Sequence, residues 1–396
     1  MKAKSIKGKS TEEIQTALKE SMVGYKPTVA IVFISIKQDR GAVCEMLSRE
    51  GMVVLGATSC GEFINGYQDE GSAVILLLDL PADSFSILFE ALGKGNVGDA
   101  AARLAEAALE KFKRPAFILL STGLSTGGDF LNGEILVRSI EKIIGPQVNI
   151  YGGMAGDDAT FTGTYVFSDG RETDRGMVAL VLDEDKIGLY GMAISGWKPL
   201  GTFRTVTKSI GNQVYTIDDQ PALEMYLKYL GKKDFAEEDT YKLFEEVGVH
   251  FPFQLERETG EPVMRTPMAI NREENALICD FDVPQGSKIR FSMPPDFDIV
   301  ETVVEKANEL KKESNIEAEA LLIFSCAGRF SALGPMAGVE NEGLTGVWDA
   351  PMAGFFTYGE YGRAIHGKQE FHSTTNCWVA LKEKDILKSN FNQNTA

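Results

Sequence analysis

The chain has 396 residues and a formal net charge of −17, a length that favours two domains over a single core. The acidic balance and the lack of clustered Lys and Arg exclude a protein that binds the phosphates of nucleic acid. Every apolar run falls short of the about 20 residues of a membrane span, and the N-terminus lacks the apolar core of a signal peptide.

The N-terminal segment begins with a capping box and continues as alternating strands and helices. Ser10 to Glu13 predicts the start of an amphipathic helix. TVAIVFIS predicts a buried strand, DRGAVCEMLSREG a helix, MVVLGATSCGEFINGY a strand with a glycine turn, and SAVILLLD another strand. These elements form a first strand, helix, strand, Gly-turn, strand unit.

A G-x-G-x-x-G pattern, Gly93 to Gly98, precedes the helix predicted from Asp99 to Phe112. A dinucleotide site would need an acidic residue at the end of the next strand, which ends instead in Ser and Thr, so a turn with a helix cap is favoured. The polar run from Ser121 to Asp129 then leads into another helix. Its free backbone N–H groups could hold an anion, or Asp129 could simply cap the helix.

The pattern changes near Leu200, so we predict domains at residues 1–199 and 200–396. The acidic segment from Asp234 to Glu246 is predicted to be a solvated helix. The stretch from Glu319 to Lys384 repeats the strand, helix, strand, Gly-turn, strand plan, and so does the segment after Ala116. The predicted fold class is therefore α/β, with two domains of mixed β-sheets flanked by helices and built from repeated units.

The repeat is supported by one short motif. GATSCGEF, from Gly56, and GFFTYGEY, from Gly354, share the spacing G-x-x-x-x-G-E-aromatic. The middle copy is one residue shorter and carries Asp157 where the others carry Glu62 and Glu360. We therefore expect the three acidic residues to occupy equivalent positions.

The sharpest candidate site lies in loops that follow strands of the third unit. Arg329 could clamp a carboxylate with its planar guanidinium, while Glu360 could hold an ammonium group, which together would suit an amino acid. The alternative is that Arg329 pairs with Glu340 or Glu360 to hold loops together. The candidate ligand-binding residues are Arg329, Cys326, Glu340, Tyr358, Glu360, Ser59, Cys60, Glu62, Ser121, Thr122, Ser125 and Asp157.

A catalytic alternative uses Cys326 as nucleophile, His372 as base and Asn376 to orient the base. The competing interpretation is that Cys326 is a small buried hydrophobe. The five widely spaced cysteines form no CxxC pair, which favours a reducing, cytoplasmic compartment. A metal site from Cys326, Cys377, His366 and His372 would lack standard spacing, so neither metal nor cofactor is predicted.

FSCAGR, a downstream Glu340 and the GFFTYGE turn resemble the C-terminal module of the FIST family. GATSCGEF, LLSTGLSTGGD and YGGMAGDD are similar to its N-terminal module, and the matches extend from about Pro27 to Lys382. The resemblance implies a sensory domain of intracellular signal transduction that binds small ligands such as amino acids. It also implies a separate signalling partner, such as a histidine kinase, cyclase or chemotaxis receptor, since we expect no output domain on this chain.

The sequence therefore predicts a sensor of a small polar molecule, with no nucleic-acid partner and no membrane span. Two alternatives stay open. One is a Cys-dependent hydrolase or transferase using Cys326 and His372, and the other is a module whose sheets pair into oligomers.

Overall fold

The computed structural model describes residues 1–233, 243 and 247–384. The helix predicted from Asp234 to Glu246 lies outside the described residues, apart from Leu243. None of the helices in the described parts is long and apolar enough to cross a membrane. The same parts contain no group of three or more His, Cys, Asp or Glu side chains arranged to hold a metal ion.

The first unit begins with a capped helix. The Ser10 hydroxyl accepts from the Glu13 N–H at 3.3 Å, as the capping box predicts, and the Glu13 carboxylate accepts at 2.8 Å from the N–H of Lys9, one residue before the cap. The elements are β1 (Ala3–Gly8), α1 (Thr11–Ser21), β2 (Val29–Ile34), α2 (Arg40–Arg49), β3 (Val53–Thr58), β4 (Glu62–Ile64), β5 (Tyr67–Asp69) and β6 (Ala73–Leu78).

The second unit repeats this order. Asn96, inside the G-x-G-x-x-G pattern, caps its first helix by accepting from the Asp99 N–H at 2.9 Å, which agrees with the helix-cap interpretation. The elements are β7 (Phe85–Ala91), α3 (Val97–Lys111), β8 (Pro115–Ser121), α4 (Gly133–Ile144), β9 (Ile150–Met154), β10 (Val166–Ser168), β11 (Arg171–Thr173) and β12 (Gly176–Asp183).

The third unit is interrupted after its first strand by an inserted sheet. It starts with β13 (Ile187–Ile194). The inserted elements are β14 (Pro199–Ile210), β15 (Gln213–Ile217), β16 (Gln220–Pro221), α5 (Ala222–Leu230), β17 (Phe253–Leu255), β18 (Val263–Arg265), β19 (Pro267–Asn271), β20 (Ala276–Cys279) and β21 (Lys288–Ser292). The unit then resumes with α6 (Asp298–Ser314), β22 (Ala320–Cys326), α7 (Ala327–Leu333), α8 (Met336–Trp348), β23 (Met352–Thr357), β24 (Glu360–Arg363), β25 (Gln369–His372) and β26 (Asn376–Glu383).

The three units have the same strand pairing, which confirms the α/β fold class and the repeat. In the first unit, the second strand, β2, pairs parallel with the third strand, β3, and antiparallel with the last strand, β6. β8 pairs likewise with β9 and β12, and β22 with β23 and β26. These strands are apolar and fully buried because helices cover one face of each sheet and the other faces meet in a common core.

The short hairpin of each unit pairs with a strand of another unit. The hairpin β4–β5 joins β23 of the third unit, β10–β11 joins β3 of the first, and β24–β25 joins β9 of the second. The resulting sheet orders are β1-β6-β2-β3-β10-β11, β7-β12-β8-β9-β24-β25 and β13-β26-β22-β23-β4-β5. The three units are therefore interlocked by a cyclic exchange.

The hairpin exchange corrects the expected equivalence of the three acidic residues. Glu62 lies opposite Phe355, and Glu360 lies opposite Gly153. In both hairpins the next residue is aromatic and lies opposite a glycine of the host strand. The corresponding position in the middle hairpin is Val166, opposite Ala57. Asp157 lies before β10 in the loop, because the middle unit has extra residues between its glycine turn and its hairpin.

Glycine is required where a hairpin crosses its host strand. A Cβ on Gly354 would lie 2.2 Å from the Phe63 ring, and a Cβ on Gly56 would lie 2.4 Å from the Phe167 ring. Both aromatic rings belong to hairpins that cross from another unit, so the repeated glycine of the motif makes room for the exchange.

The predicted boundary after residue 199 falls one residue into β14, the first strand of the inserted sheet. Strands before and after that boundary nevertheless share sheets, since β13 pairs with β26 and β4 pairs with β23. The inserted sheet, in the order β18-β17-β21-β14-β15-β20-β19, packs around its own apolar cluster. The inserted sheet meets the third unit near the ends of β22 and β23, where the candidate site lies.

Candidate functional site

A cavity of about 520 Å³ lies where the inserted sheet meets loops of all three units. The first and second units contribute Cys60, Glu70, Phe130, Asp158, Ala159 and Phe161; the third contributes Cys326, Ala327, Gly328, Phe330, Ser331, Thr357, Tyr358, Ser373 and Thr374; the inserted sheet contributes Asn212, Thr266, Met268, Ile278, Cys279, Asp280 and Phe281. A groove of about 920 Å³ beside α2 is larger, but it lacks buried, convergent polar groups of this kind. The mixed apolar and polar lining is typical of a small-molecule site.

Three of the predicted site residues, Cys60, Cys326 and Tyr358, line this cavity. Tyr358 stacks on Phe161 with ring centres 5.5 Å apart and an angle of 5° between the ring planes. Its hydroxyl donates to Asp157, whose carboxylate also accepts from the Thr162 N–H at 2.6 Å. Asp157 is thus a buried anchor that fixes the loop carrying Phe161.

The cavity wall contains several non-glycine residues with left-handed backbone conformations. Their φ angles are +54° for Asp158, +57° for Ala159, +53° for Phe161 and +55° for Thr374. Such conformations cost on the order of 1–3 kcal/mol each and concentrate at ligand sites and switch regions. Four of the eleven non-glycine residues with positive φ in the described parts of the chain thus line this cavity.

Arg329 does not line the cavity, although its neighbours Gly328 and Phe330 do. It is fully buried, and its Nε and Nη2 donate to the two Glu340 carboxylate oxygens at 2.9 and 2.5 Å. Nη1 donates to the Ser195 carbonyl. The closed ion pair corresponds to the alternative interpretation of the sequence, so this guanidinium is not free to clamp a ligand carboxylate.

Glu62 and Glu360 are also fully buried, and each lies against a hydroxyl three residues earlier in the chain. The Ser59 hydroxyl donates to Glu62, and the Thr357 hydroxyl donates to Glu360 at 2.5 Å. Burial raises the pKa of Glu62 to about 7 and that of Glu360 well above its ordinary value. Neither residue reaches the cavity, so Arg329 and Glu360 do not face one open crevice as predicted.

The predicted anion site at Ser121 to Asp129 is occupied by the protein's own groups. Thr126 donates its backbone N–H to the Asp174 carboxylate at 3.1 Å, and its hydroxyl donates to the same carboxylate. Asn132, rather than Asp129, caps α4 by accepting from the Ile135 N–H at 3.0 Å. The carboxylate that Thr126 binds is thus a side chain of the same chain.

The remaining candidates of this loop also make internal contacts. The Ser121 hydroxyl lies 2.7 Å from the Tyr361 hydroxyl, and Thr122 accepts from the Gly176 N–H at 3.1 Å. Ser125 accepts from the Asp129 N–H at 3.0 Å. The Ser125 contact lies within its own loop, and none of these three residues lines the cavity.

The structure does not bring Cys326 and His372 into a catalytic pair. His372 donates from Nε2 to the Gly362 carbonyl at 3.1 Å, and burial lowers its pKa to about 3. Asn376 donates to Glu340 at 2.6 Å instead of orienting the imidazole. Burial raises the pKa of the Cys326 thiol well above its ordinary value, which opposes thiolate formation.

We therefore expect iodoacetamide at neutral pH to modify Cys326 in the folded protein no faster than Cys44. The two side chains are 5% and 6% exposed, and burial raises the pKa of each, that of Cys44 to about 12. Peptide mapping by mass spectrometry over time gives both rates. Selective labelling of Cys326 would restore the nucleophile hypothesis.

Sequence reasoning missed the carboxylates and aromatic side chains that complete the cavity. Asp158 is the residue after the predicted Asp157, and Asp280 lies within the predicted strand NALICDFDV, directly after the observed β20. Asp280 accepts from the Thr266 N–H at 3.0 Å and from the Ser373 hydroxyl. The GDD and CD sequences at strand ends were the available signals.

Comparison with known proteins agrees with this architecture. The FIST N domain model matches residues 28–220, and the FIST C domain model matches residues 222–363. An uncharacterized protein of Methanocaldococcus jannaschii is 28% identical over 267 residues, which are 63% of this chain and 49% of that protein. The present chain thus spans about half the length of that curated relative. It belongs to the FIST family, whose domains are sensor domains of signal transduction.

Proposed function

We propose that the cavity is the ligand site of the sensor and takes a small polar molecule, with amino acids as the first class to test. Its volume of about 520 Å³ falls within the range of about 300–1,000 Å³ that is usual for such sites. The observation that carries the proposal is that all three units and the inserted sheet contribute residues to the lining of this one cavity. A bound molecule would therefore contact all three units and the inserted sheet at once.

A route from the cavity to the rest of the molecule begins at α7. Gly328 and Phe330 line the cavity, while Arg329 between them binds the Ser195 carbonyl in the connection from β13 to β14. The Arg329 guanidinium also lies 5.1 Å from the Trp197 ring centre, and Trp197 donates to the His250 carbonyl at 3.1 Å. A ligand that shifts the start of α7 would act on the inserted sheet through these contacts.

The signal would then pass to a separate protein, such as a histidine kinase, a cyclase or a chemotaxis receptor. The ligand needs differential affinity for two arrangements of the inserted sheet for this to work. The strained loop around Phe161 and the contacts of Arg329 are the elements on which such a difference would act.

The test is a thermal-shift screen of amino acids, small organic acids and amines, followed by a variant with a filled cavity. A ligand at about 100 times its Kd is expected to add about 2.7 kcal/mol to the free energy of unfolding. Ser331→Trp places an indole at the cavity wall and is expected to abolish this gain. Isothermal titration calorimetry of the hit measures the loss of affinity directly.

The matched control is Val339→Trp, which adds the same side chain at a 57% exposed position of α8 outside the cavity lining. It should keep the full ligand response. An unchanged response in Ser331→Trp would place the ligand elsewhere and contradict the proposal.

A further inference from the structure

We propose that the ligand carries an organic ammonium group on an apolar or aromatic body and has no carboxylate that must be bound. This inference rests on the proposed function, because it specifies the chemistry of the molecule that the cavity takes. It differs from the zwitterion that the sequence suggested.

The charges around the cavity point to a cation. Its lining includes the acidic residues Glu70, Asp158 and Asp280, and no Lys, Arg or His occurs among the described residues that line it. Arg265 and Arg329 are each adjacent in sequence to a lining residue, but they pair with Glu134 and Glu340 respectively. A ligand carboxylate would therefore meet acidic side chains and no basic side chain in the described lining itself, while an ammonium group would be attracted; the Lys37 ammonium group, 3.2 Å from Asp158, lies outside the lining.

Asp158, a residue of the lining, has one carboxylate oxygen without a hydrogen-bond partner in the described part of the chain. Its side chain is only 5% exposed, and its Oδ2 accepts from the Ser35 hydroxyl at 2.7 Å and lies 3.2 Å from the Lys37 ammonium group. Its Oδ1 is buried and has no hydrogen-bond partner within the described structure. A buried carboxylate oxygen without a partner is costly, so an N–H donor from a ligand would relieve that cost.

The aromatic wall suits the same chemistry. Phe161 and Tyr358 form a stacked pair next to Asp158, and Phe161 is 48% exposed at the cavity edge. Phe130, Phe281 and Phe330 complete the apolar part of the lining. Aromatic faces attract cations and also bury the carbon skeleton of an amine, so the two kinds of lining group would act on one molecule.

The test compares four compounds that share a phenylethyl body and differ in charge. Phenethylamine is cationic, phenylalanine zwitterionic, 3-phenylpropionate anionic and N-acetylphenethylamine neutral. Calorimetric titration of the full chain is expected to give phenethylamine at least about tenfold tighter binding than each of the other three, a difference of about 1.4 kcal/mol. Equal or tighter binding of phenylalanine or 3-phenylpropionate overturns the inference, and so does the absence of phenethylamine binding.

Asp158→Asn tests the proposed contact, because the amide keeps an oxygen acceptor but removes the charge. Phenethylamine affinity is expected to fall about tenfold or more, by the same conversion. Asp219→Asn is the control, since Asp219 also has a positive φ, +61°, but lies outside the cavity lining. Equal affinity in the wild type and Asp158→Asn overturns the assignment.

The outcomes separate the two proposals. If phenylalanine or 3-phenylpropionate binds best and Ser331→Trp abolishes that binding, the ammonium inference fails while the cavity remains the sensor site. If Ser331→Trp leaves the binding of every compound unchanged, the proposed function fails as well.

Discussion

Replacing Arg329 with methionine is expected to lower the free energy of unfolding by about 3–5 kcal/mol, the usual cost of breaking a buried ion pair from one side. Arg329 and Glu340 both have fully buried side chains. The substitution leaves the Glu340 carboxylate with Asn376 as its remaining donor, at 2.6 Å. It also removes the hydrogen bond to the Ser195 carbonyl. Arg329→Ala is expected to destabilise the fold strongly for the same reason.

Urea unfolding monitored by circular dichroism measures this loss. The double variant Arg329→Met with Glu340→Leu is expected to recover most of the stability, because it leaves no unpaired charge in the core. Arg114→Met provides a surface comparison, since Arg114 is 55% exposed and pairs with Glu184 and Asp185. That pair is expected to contribute less than about 1 kcal/mol. Equal stability of Arg329→Met and the wild type would show that the buried pair does not hold the fold.

The repeat could be predicted from the sequence because it depends on local patterns. Buried strands such as Ala320–Cys326 appear as short apolar runs, and the glycines before Glu62 and Glu360 mark the turns. The exchange of hairpins could not be predicted in this way. Alternating side chains identify a strand, but they do not specify which of three similar sheets it joins.

The equivalence of Asp157 with Glu62 was wrong for a related reason. Counting from glycine to acid gave nearly equal spacing in the three units, but the middle unit extends its loop before β10. Only the strand register shows that Val166 takes the position of the two glutamates. A short motif therefore identified the repeat correctly and aligned one of its copies incorrectly.

Part of the candidate site could be predicted because loops after strands often carry functional residues. Cys60, Cys326 and Tyr358 do line the cavity. The chemical type of Arg329 suggested a ligand clamp, but its burial and its pairing with Glu340 depend on packing between elements distant in the sequence. Asp280 was missed for the same reason, since the inserted sheet meets the third unit only in the folded chain.

The stability of the protein is expected to depend on pH through Glu62. Its pKa rises from 4.5 to about 7, mainly because of burial, although the hydroxyl groups of Ser59 and Ser72 act in the opposite direction. The folded state therefore holds a proton that the unfolded state releases above pH 4.5. This contribution is full below pH 4.5 and is lost as the pH rises to about 7. The total change is about 3 kcal/mol at 1.36 kcal/mol per pKa unit.

Glu62→Gln isolates this effect, because the amide is neutral at every pH and keeps an oxygen acceptor for Ser72. The free energy of unfolding of the wild type, relative to that of Glu62→Gln, is expected to fall by about 3 kcal/mol between pH 4.5 and pH 7. Urea unfolding at a series of pH values measures the difference. Asp218→Asn is the control, since a hydrogen bond from the Thr205 N–H lowers the pKa of Asp218 below 3.8, outside that window. Parallel pH profiles for the wild type and Glu62→Gln would mean that Glu62 stays ionised in the folded protein, and that the Ser59 and Ser72 hydroxyl groups outweigh the cost of its burial.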